Sequence, residues 1–532
     1  MTRWRITLLG LFLTVFAIAS LSGPGRTDSI DGLTRFEVAC SLVDHGDSVI
    51  RNDNVWFSVF PGRDGQRYST YRFPQSVLGA VAVLISDATG PIQGVRRRFF
   101  FSLTSPFAAA CMAVCYAALF RRLGHSPRGA VFWAAAGVFC TPSWFYGTSL
   151  YDDILGSATV VFALTAALLG RRRRPWLGAT LSGLAMGLAF NCKQPLALFT
   201  LPVLAAIHDP ERDWRAQRGR YAVVLGLLAL GIFVQQAYER IKFPPGFTDA
   251  RDFMQAMYVP VWTDDPTPAM LAMTLSLGCG VLFYNAPILL SVAGLKTWRR
   301  TEELFATALV VASMLFFLFI CCLTFYKGDN AWGPRYLTPV FAVLWILAPA
   351  GAWATRRWAV VAQLAVGLLV QIGALSLDPQ RLYMERALAS GFYLKDPTIY
   401  FDPSIAHVIQ RPREIWSVFT SCYRPNEVFE AFEPDGKPTR GYLVNGRVEY
   451  GASGLLKYNT MNSFRPWWAH FGLFFKKQPP VDVPRTAILF AAIAAAGSVL
   501  TAIGLSAPIR LAEIETPAII LDDRPREGFA AV

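Results

Sequence analysis

Repeated runs of about 16 to 22 residues with almost no ionisable side chain constrain this chain more than any other feature, because each matches the length a helix needs to cross a hydrocarbon core. Backbone in lipid must satisfy its own hydrogen bonds, and runs of this length do so as helices. Reading the runs in order predicts spans at about 6–22, 99–120, 129–146, 154–170, 176–190, 195–207, 221–238, 270–295, 304–325, 336–353, 358–377 and 486–505, or about twelve crossings. The fold class expected is an all-α polytopic membrane bundle.

Charge sets the orientation. With the N-terminus inside, the basic clusters at Arg3 and Arg5, Arg121 with Arg122 and Arg128, residues 171–174, 212–220, Lys296 with Arg299 and Arg300, and Arg356 with Arg357 all fall in cytoplasmic loops. A net charge of +13 would suggest nucleic acid in a soluble protein, but here the arginines mark the ends of apolar runs, so nucleic acid is excluded as a partner. Residues 96–98 are three arginines on the outer side, where the plainest reading is snorkelling to headgroups. MTRWR before the first apolar run also fits a cleavable signal peptide, although a retained span is the expectation; either way the next loop lies outside.

Two interruptions matter. The stretch 176–207 is too long for one helix and breaks at NCKQP, which puts Lys193 at membrane depth; GCGVLFYN, 278–285, breaks the eighth run in the same manner. The apolar segment 74–85 is too short to span and reads as a re-entrant or surface-lying helix. Two regions remain outside. Loop 23–98 holds a helix with Phe36, Val38, Ala39, Leu42 and Val43 on one interfacial face, and 378–485 is large enough for a small α+β subdomain, with PDGKPTRGYLVNGRVEY as a strand pair. The domain plan is therefore 1–377 as the transmembrane module, 378–485 outside, 486–506 as the last span and 507–532 as a cytoplasmic tail.

Ionisable groups at the membrane boundary are the functional suspects. Asp28 and Asp31, directly after the first span, offer a general base if burial tunes one of them, or else a helix cap. Asp152 and Asp153 open the fourth span; a helix N-terminus favours acids by its dipole alone, yet two adjacent carboxylates exceed that need and could position an acceptor or help to hold a divalent ion. No cofactor is otherwise indicated.

Lys193 and Arg335 suit a phosphate, the alternative being pairing with nearby acids such as Asp329 for Arg335. Arg335 lies in the strip YKGDNAWGPRY, 326–336, whose Lys327, Asp329 and Tyr336 are further polar candidates, together with Tyr68, Arg72, Gln75, Tyr284 and Asn285. His45, His407 and His470 lack metal-ligand spacing, and the nine cysteines form no CxxC pair. Cys40 and Cys422 both fall outside the cytoplasm, where a disulfide is open to them but free thiols are the expectation.

DGLTRF followed by SLVDHG, the acids of YDD, the run LSGLAMGLAFNCKQPLALFTLPVL and GPRYLTP opening a later span together resemble, over roughly the first 355 residues, the GT-C superfamily of polyprenyl-phosphate-sugar-dependent glycosyltransferases. The resemblance implies an integral membrane enzyme of the inner membrane that moves a sugar from a polyprenyl-phosphate donor to a glycan, lipid or protein acceptor on the outer face, with inversion. It places the base on Asp31, followed by Arg35 and Phe36, with Gly32 where the family has a second acid and Asp28 as a substitute for it. The rival readings are a flippase of lipid-linked sugars, which would show matched halves, and a non-catalytic envelope scaffold.

Overall fold

In a computed structural model the described residues are 3–245, 261–328, 331–382, 397–421, 428–432, 438–444, 447–450, 464–471 and 479–506. Asp329 and Cys422 lie outside them.

Among the described residues eight helices are long and apolar enough to cross a membrane: Arg3–Ser22, Gly94–Arg122, Asp153–Arg173, Trp214–Lys242, Glu303–Cys321, Arg335–Ala354, Arg357–Ser376 and Val483–Leu505. The chain is a multi-pass membrane protein. Of the other four expected crossings, 176–190 is one unbroken helix and the rest are built from shorter pieces, so a count of twelve does not follow from helix length and hydropathy. Residues 129–146 divide into Pro127–Phe139 and Ser143–Tyr146, and 270–295 into Thr267–Leu275, Val281–Tyr284 and Ile288–Thr301. The stretch from residue 175 runs as a helix, Pro175–Cys192, then a 3-10 turn, Gln194–Phe199, then Thr200–Ile207. Both sequence-level interruptions are therefore real breaks in the helical ladder.

Small residues set how closely the helices approach, as expected where lipid removes the hydrophobic drive between spans. The first helix packs on the last at Gly10, where an added Cβ would come within 2.5 Å of the Gly497 carbonyl oxygen. Gly187 meets Gly231 in the same way, joining Pro175–Cys192 to Trp214–Lys242. Tyr116 and Trp345 tie the middle of the bundle through bonds donated to the carbonyls of Ala342 (2.6 Å) and Trp133 (2.9 Å).

The apolar residues of the helix Ile30–Asp44 do not form the single face that the sequence suggested. Phe36 and Ala39 pack with Val83, Phe101 and Leu150 on one side, while Val38 packs with Ile50 and Val55 on another. The helix is enclosed because Pro74–Ala88 and the two-stranded hairpin Val59–Pro61 with Arg67–Ser69 cover it. Pro74–Ala88 has 15 residues, too few to span, and leaves Val77, Val81, Leu84 and Ile85 exposed along one face.

The middle arginine of the triplet 96–98 is likewise explained by packing. Arg97 binds Asp44 through Nη1 and Nη2, both at 2.8 Å, and Asp87 through Nε (2.9 Å) and Nη2 (2.6 Å). It is a clasp between helices, which replaces the snorkelling expected at this position. In the later region the described residues include the helix His407–Ser421 and a three-stranded antiparallel sheet, Val428–Phe432, Pro438–Val444 and Arg447–Tyr450, the last two strands being the pair read from the sequence.

Candidate active site

Ser29 caps the helix Ile30–Asp44 by accepting the Gly32 N–H at 3.0 Å, which leaves Asp31 in the first turn with its carboxylate free for other partners. Oδ1 accepts the Tyr71 hydroxyl at 2.6 Å and Oδ2 accepts Arg335 Nη2 at 2.9 Å. Asp152 and Asp153 open the helix Asp153–Arg173 without a side-chain capping bond, so capping does not explain them. Instead Asp153 accepts Arg335 Nε at 2.8 Å on Oδ2 and the Lys193 ammonium on Oδ1, and Asp152 accepts Arg35 Nη2 at 2.9 Å with Lys193 Nζ at 3.5 Å.

Two backbone devices deliver the cations. Lys193 is extended (φ −148°, ψ 128°) at the break after Cys192, and this swings its side chain out of the helical register toward the acids. Arg335 follows Gly328 and Gly333, both at positive φ (+79° and +59°), and a Cβ on Gly333 would fall 2.6 Å from the Tyr284 ring. These turns lay the Arg335 guanidinium 3.6 Å from the Tyr151 ring centre, and Lys193 Nζ 4.4 Å from that of Tyr336.

One basin thus holds three carboxylates, Asp31, Asp152 and Asp153, and three cations, Arg35, Lys193 and Arg335, from four separated parts of the chain. Burying such charges is costly unless each is paired. Burial alone would raise the Asp31 carboxyl, but the Arg335 and Arg35 charges and the Tyr71 hydroxyl hold it below the usual range. Asp152, pushed up by burial and pulled down more strongly by Arg35, Lys193 and Arg335, lies at about 2. Both are anionic at neutral pH.

Accessibility separates the cations. The Lys193 side chain is 18% exposed, whereas those of Arg335 and Arg35 are 2% and 3% exposed. Arg72, partly exposed, donates to the Phe190 carbonyl oxygen at 3.3 Å beside the same break. Among the described residues no group of three His, Cys, Asp or Glu side chains is arranged to hold a metal ion. The basin carboxylates face guanidinium and ammonium groups, a donor set already neutralised and ill suited to a divalent ion.

The remaining candidates divide. Asp28 is turned away from the basin: its Oδ1 accepts the Leu150 N–H at 3.1 Å and its Oδ2 accepts Arg465 at 2.7 Å. Burial pushes its carboxyl up, against the pull of Arg465. Tyr68 gives its hydroxyl to Asp64 at 2.8 Å within the surface hairpin. Lys327 donates to the Ala331 carbonyl at 2.8 Å, and Tyr284 stacks edge-on to Trp332 at 5.4 Å, both within an aromatic cluster of their own. Gln75 and Asn285 are buried. Cys40 is a free thiol.

Three contributors were not singled out from the sequence: Arg35 as a charge partner, Tyr71 and Tyr151. Arg35 could have been found as the i+4 neighbour of Asp31 on one helix face, with Nη1 at 4.0 Å from its Oδ2. The tyrosines carry no pattern of their own.

A model described as glycosyltransferase family 87 matches residues 92–322, a stretch that contains Asp152, Asp153 and Lys193. Over that stretch, which is less than half of the chain, the sequence is similar to a glycosyltransferase family. No curated protein matches its sequence. Solved structures similar to it include ArnT from Cupriavidus metallidurans bound to undecaprenyl phosphate, at TM-score 0.45 and 14% identity over 94% of this chain and 77% of that one. The apo form of the same protein gives a TM-score of 0.43 at 14% identity over the same shares of the two chains. The Archaeoglobus fulgidus oligosaccharyltransferase, in complex with Zn and sulfate, gives 0.39 at 14% identity over 74% of this chain and 57% of that one.

Proposed function

We propose that the enzyme transfers a sugar from a polyprenyl-phosphate donor to an acceptor on the outer face of the inner membrane, with inversion and with Asp31 as the general base. The observation that carries this reading is the single guanidinium of Arg335 gripping both Asp31 and Asp153, with Lys193 on the far side of Asp153 as the most exposed cation of the basin.

Lys193, aided by Arg72 at the same helix break, receives the donor phosphate. A point charge on a flexible stem suits a group whose charge grows as the sugar leaves. Arg335 serves as the clamp that orients Asp31 and Asp153. Asp31 takes the acceptor's proton as its oxygen attacks the anomeric carbon, and the phosphate departs from the opposite side. Because the carboxylate activates the acceptor and does not itself attack the sugar, one displacement inverts the centre.

The low basicity of Asp31 in the unliganded basin follows from its cations. An incoming phosphate anion at Lys193 adds negative charge beside the basin, which offsets the pull of its cations and raises the basicity of Asp31 at the moment it is needed. The lipid tail lies among the spans beside the break. Asp152 and Asp153 hold the cations in register and line the acceptor side.

Membranes containing the protein, incubated with a panel of labelled polyprenyl-phosphate sugars, test the reading. Free polyprenyl phosphate should be released with one sugar of the panel, and Asp31→Asn should lower turnover by about 10³-fold while lipid-donor binding persists. Full turnover in Asp31→Asn would remove the base. Movement of labelled lipid across the bilayer with no polyprenyl phosphate formed would favour transport instead.

A further inference from the structure

The segment around residue 465 closes onto the bundle from far along the chain, and nothing in the reaction scheme above uses it. Phe464 pairs with Leu377 as an isolated antiparallel bridge, and the Arg465 N–H donates to the Ser376 carbonyl at 2.9 Å. Trp467 then locks the strap to the end of the first span. Its backbone N–H donates to the Gly23 carbonyl (2.9 Å) and its indole Nε1 to that of Ser20 (3.0 Å), while the indole of Trp468 donates to that of Leu21 (3.0 Å). The fit is tight: Gly25 takes φ +59°, and a Cβ there would lie 2.4 Å from the Trp467 Cβ.

Arg465, 1% exposed, reaches from this strap to the two acidic loops. Its Nη2 bridges Asp28 Oδ2 (2.7 Å) and Ser149 Oγ (2.6 Å), and its guanidinium packs 4.3 Å from the Phe145 ring centre. The other oxygen of Asp28 accepts the Leu150 N–H, and the Ser149 carbonyl accepts the Ser105 hydroxyl at 2.6 Å. Asp28 is three residues before Asp31, and Ser149 and Leu150 lead directly into Asp152 and Asp153. The Arg465 guanidinium, together with the Leu150 N–H bond to Asp28, therefore joins the two backbone segments that carry the basin's acids.

We propose that Arg465 is a positioning residue for glycosyl transfer: acting through Asp28 and Ser149, it sets the distance between the base on the first loop and the acids that open the span at Asp153. This rests on the transfer reading above. A buried arginine that only glued the strap down would change stability; one that sets this spacing changes the chemical step.

The test uses the full chain in lipid nanodiscs, with Arg465→Met, Arg465→Lys, Asp28→Asn, the Arg465→Met/Asp28→Asn double variant, and Asp31→Asn as control. Per folded molecule, Arg465→Met should lower kcat by about 10²-fold, the scale of a misplaced reacting group, with the donor KM within about threefold of the parent. Arg465→Lys should regain part of the loss. The double variant should be no worse than Arg465→Met, as expected for two members of one bridge.

Hydrogen exchange gives a readout independent of turnover: Arg465→Met should speed exchange in both 28–36 and 149–155. Where Arg465→Met fails to fold, Arg465→Lys and Asp28→Asn carry the same comparison. An unchanged kcat per folded molecule with only a lower melting temperature, or exchange unaltered in both segments, overturns the proposal. Asp31→Asn losing turnover while Arg465→Met keeps it would sink this proposal alone. Turnover intact in Asp31→Asn would sink the base assignment, whatever Arg465 does.

Discussion

The basin and the Arg97 clasp are made from the same chemistry and do different work. In each, one arginine binds two carboxylates at ordinary hydrogen-bond distances. The clasp draws Asp44, Asp87 and Arg97 from one stretch of chain, and the carboxylates bind two N–H edges of one guanidinium, with Asp44 partly open to solvent. In the basin the partners of Arg335 come from 182 and 304 residues away, the helix beside it is broken, and a lysine with part of its side chain open shares one of those acids, Asp153. A buried ion pair alone is weak evidence of function. What distinguishes the basin is the combination of broken backbone, a surplus of pairing and one reachable cation.

Replacing Lys193 should separate the two regions most. Lys193→Met keeps the stem and removes the charge, and kcat/KM for the donor should fall by about 10²-fold or more, the scale of losing one group that stabilises developing charge. Tighter or unchanged donor binding in a direct assay, with kcat/KM intact, would make the basin another clasp. Arg97→Met should do the opposite. Breaking a pair that is buried on the arginine side but open at Asp44 should cost about 2 kcal/mol, between the surface and buried extremes, and be seen as a lower melting temperature with kcat per folded molecule unchanged. A loss of turnover there would mean that the helix Ile30–Asp44 transmits strain to Asp31.

The sequence exposed the basin's parts but not its wiring. Charges at the ends of apolar runs are rare enough for Asp31, Asp152, Asp153, Lys193 and Arg335 to stand out one by one, and NCKQP announced the break that aims Lys193. Which acid each cation meets depends on contacts across hundreds of residues, and no local pattern encodes them. The outward turn of Asp28 is of this kind: its neighbour Ser29 is the better cap, so Asp28 is released to meet an arginine 437 residues later. Span counting met a different limit. The run 270–295 counts as one crossing with a break at GCGVLFYN, while Gly278, Gly280 and Pro287 cut its hydrogen-bond ladder into three short helices.

The mildest effect concerns acid. Asp152 has its carboxyl at about 2 in the folded basin against an ordinary value of 3.8, so the folded state binds its proton more weakly than the unfolded chain does. Stability from this group is therefore fully present above about pH 4 and is lost as pH falls through the folded value. Between pH 4 and pH 3 the loss amounts to about 1 kcal/mol. Asp31, also depressed, adds to the slope in the same direction, whereas Asp28, raised by burial, contributes with the opposite sign. Melting curves in detergent at pH 5, 4 and 3 should thus fall more steeply for the parent than for Asp152→Asn, which has no proton to take up at that position. Equal slopes would mean that Arg35 and Lys193 do not hold Asp152 ionised, and the basin's pairing would then leave no mark on stability in acid.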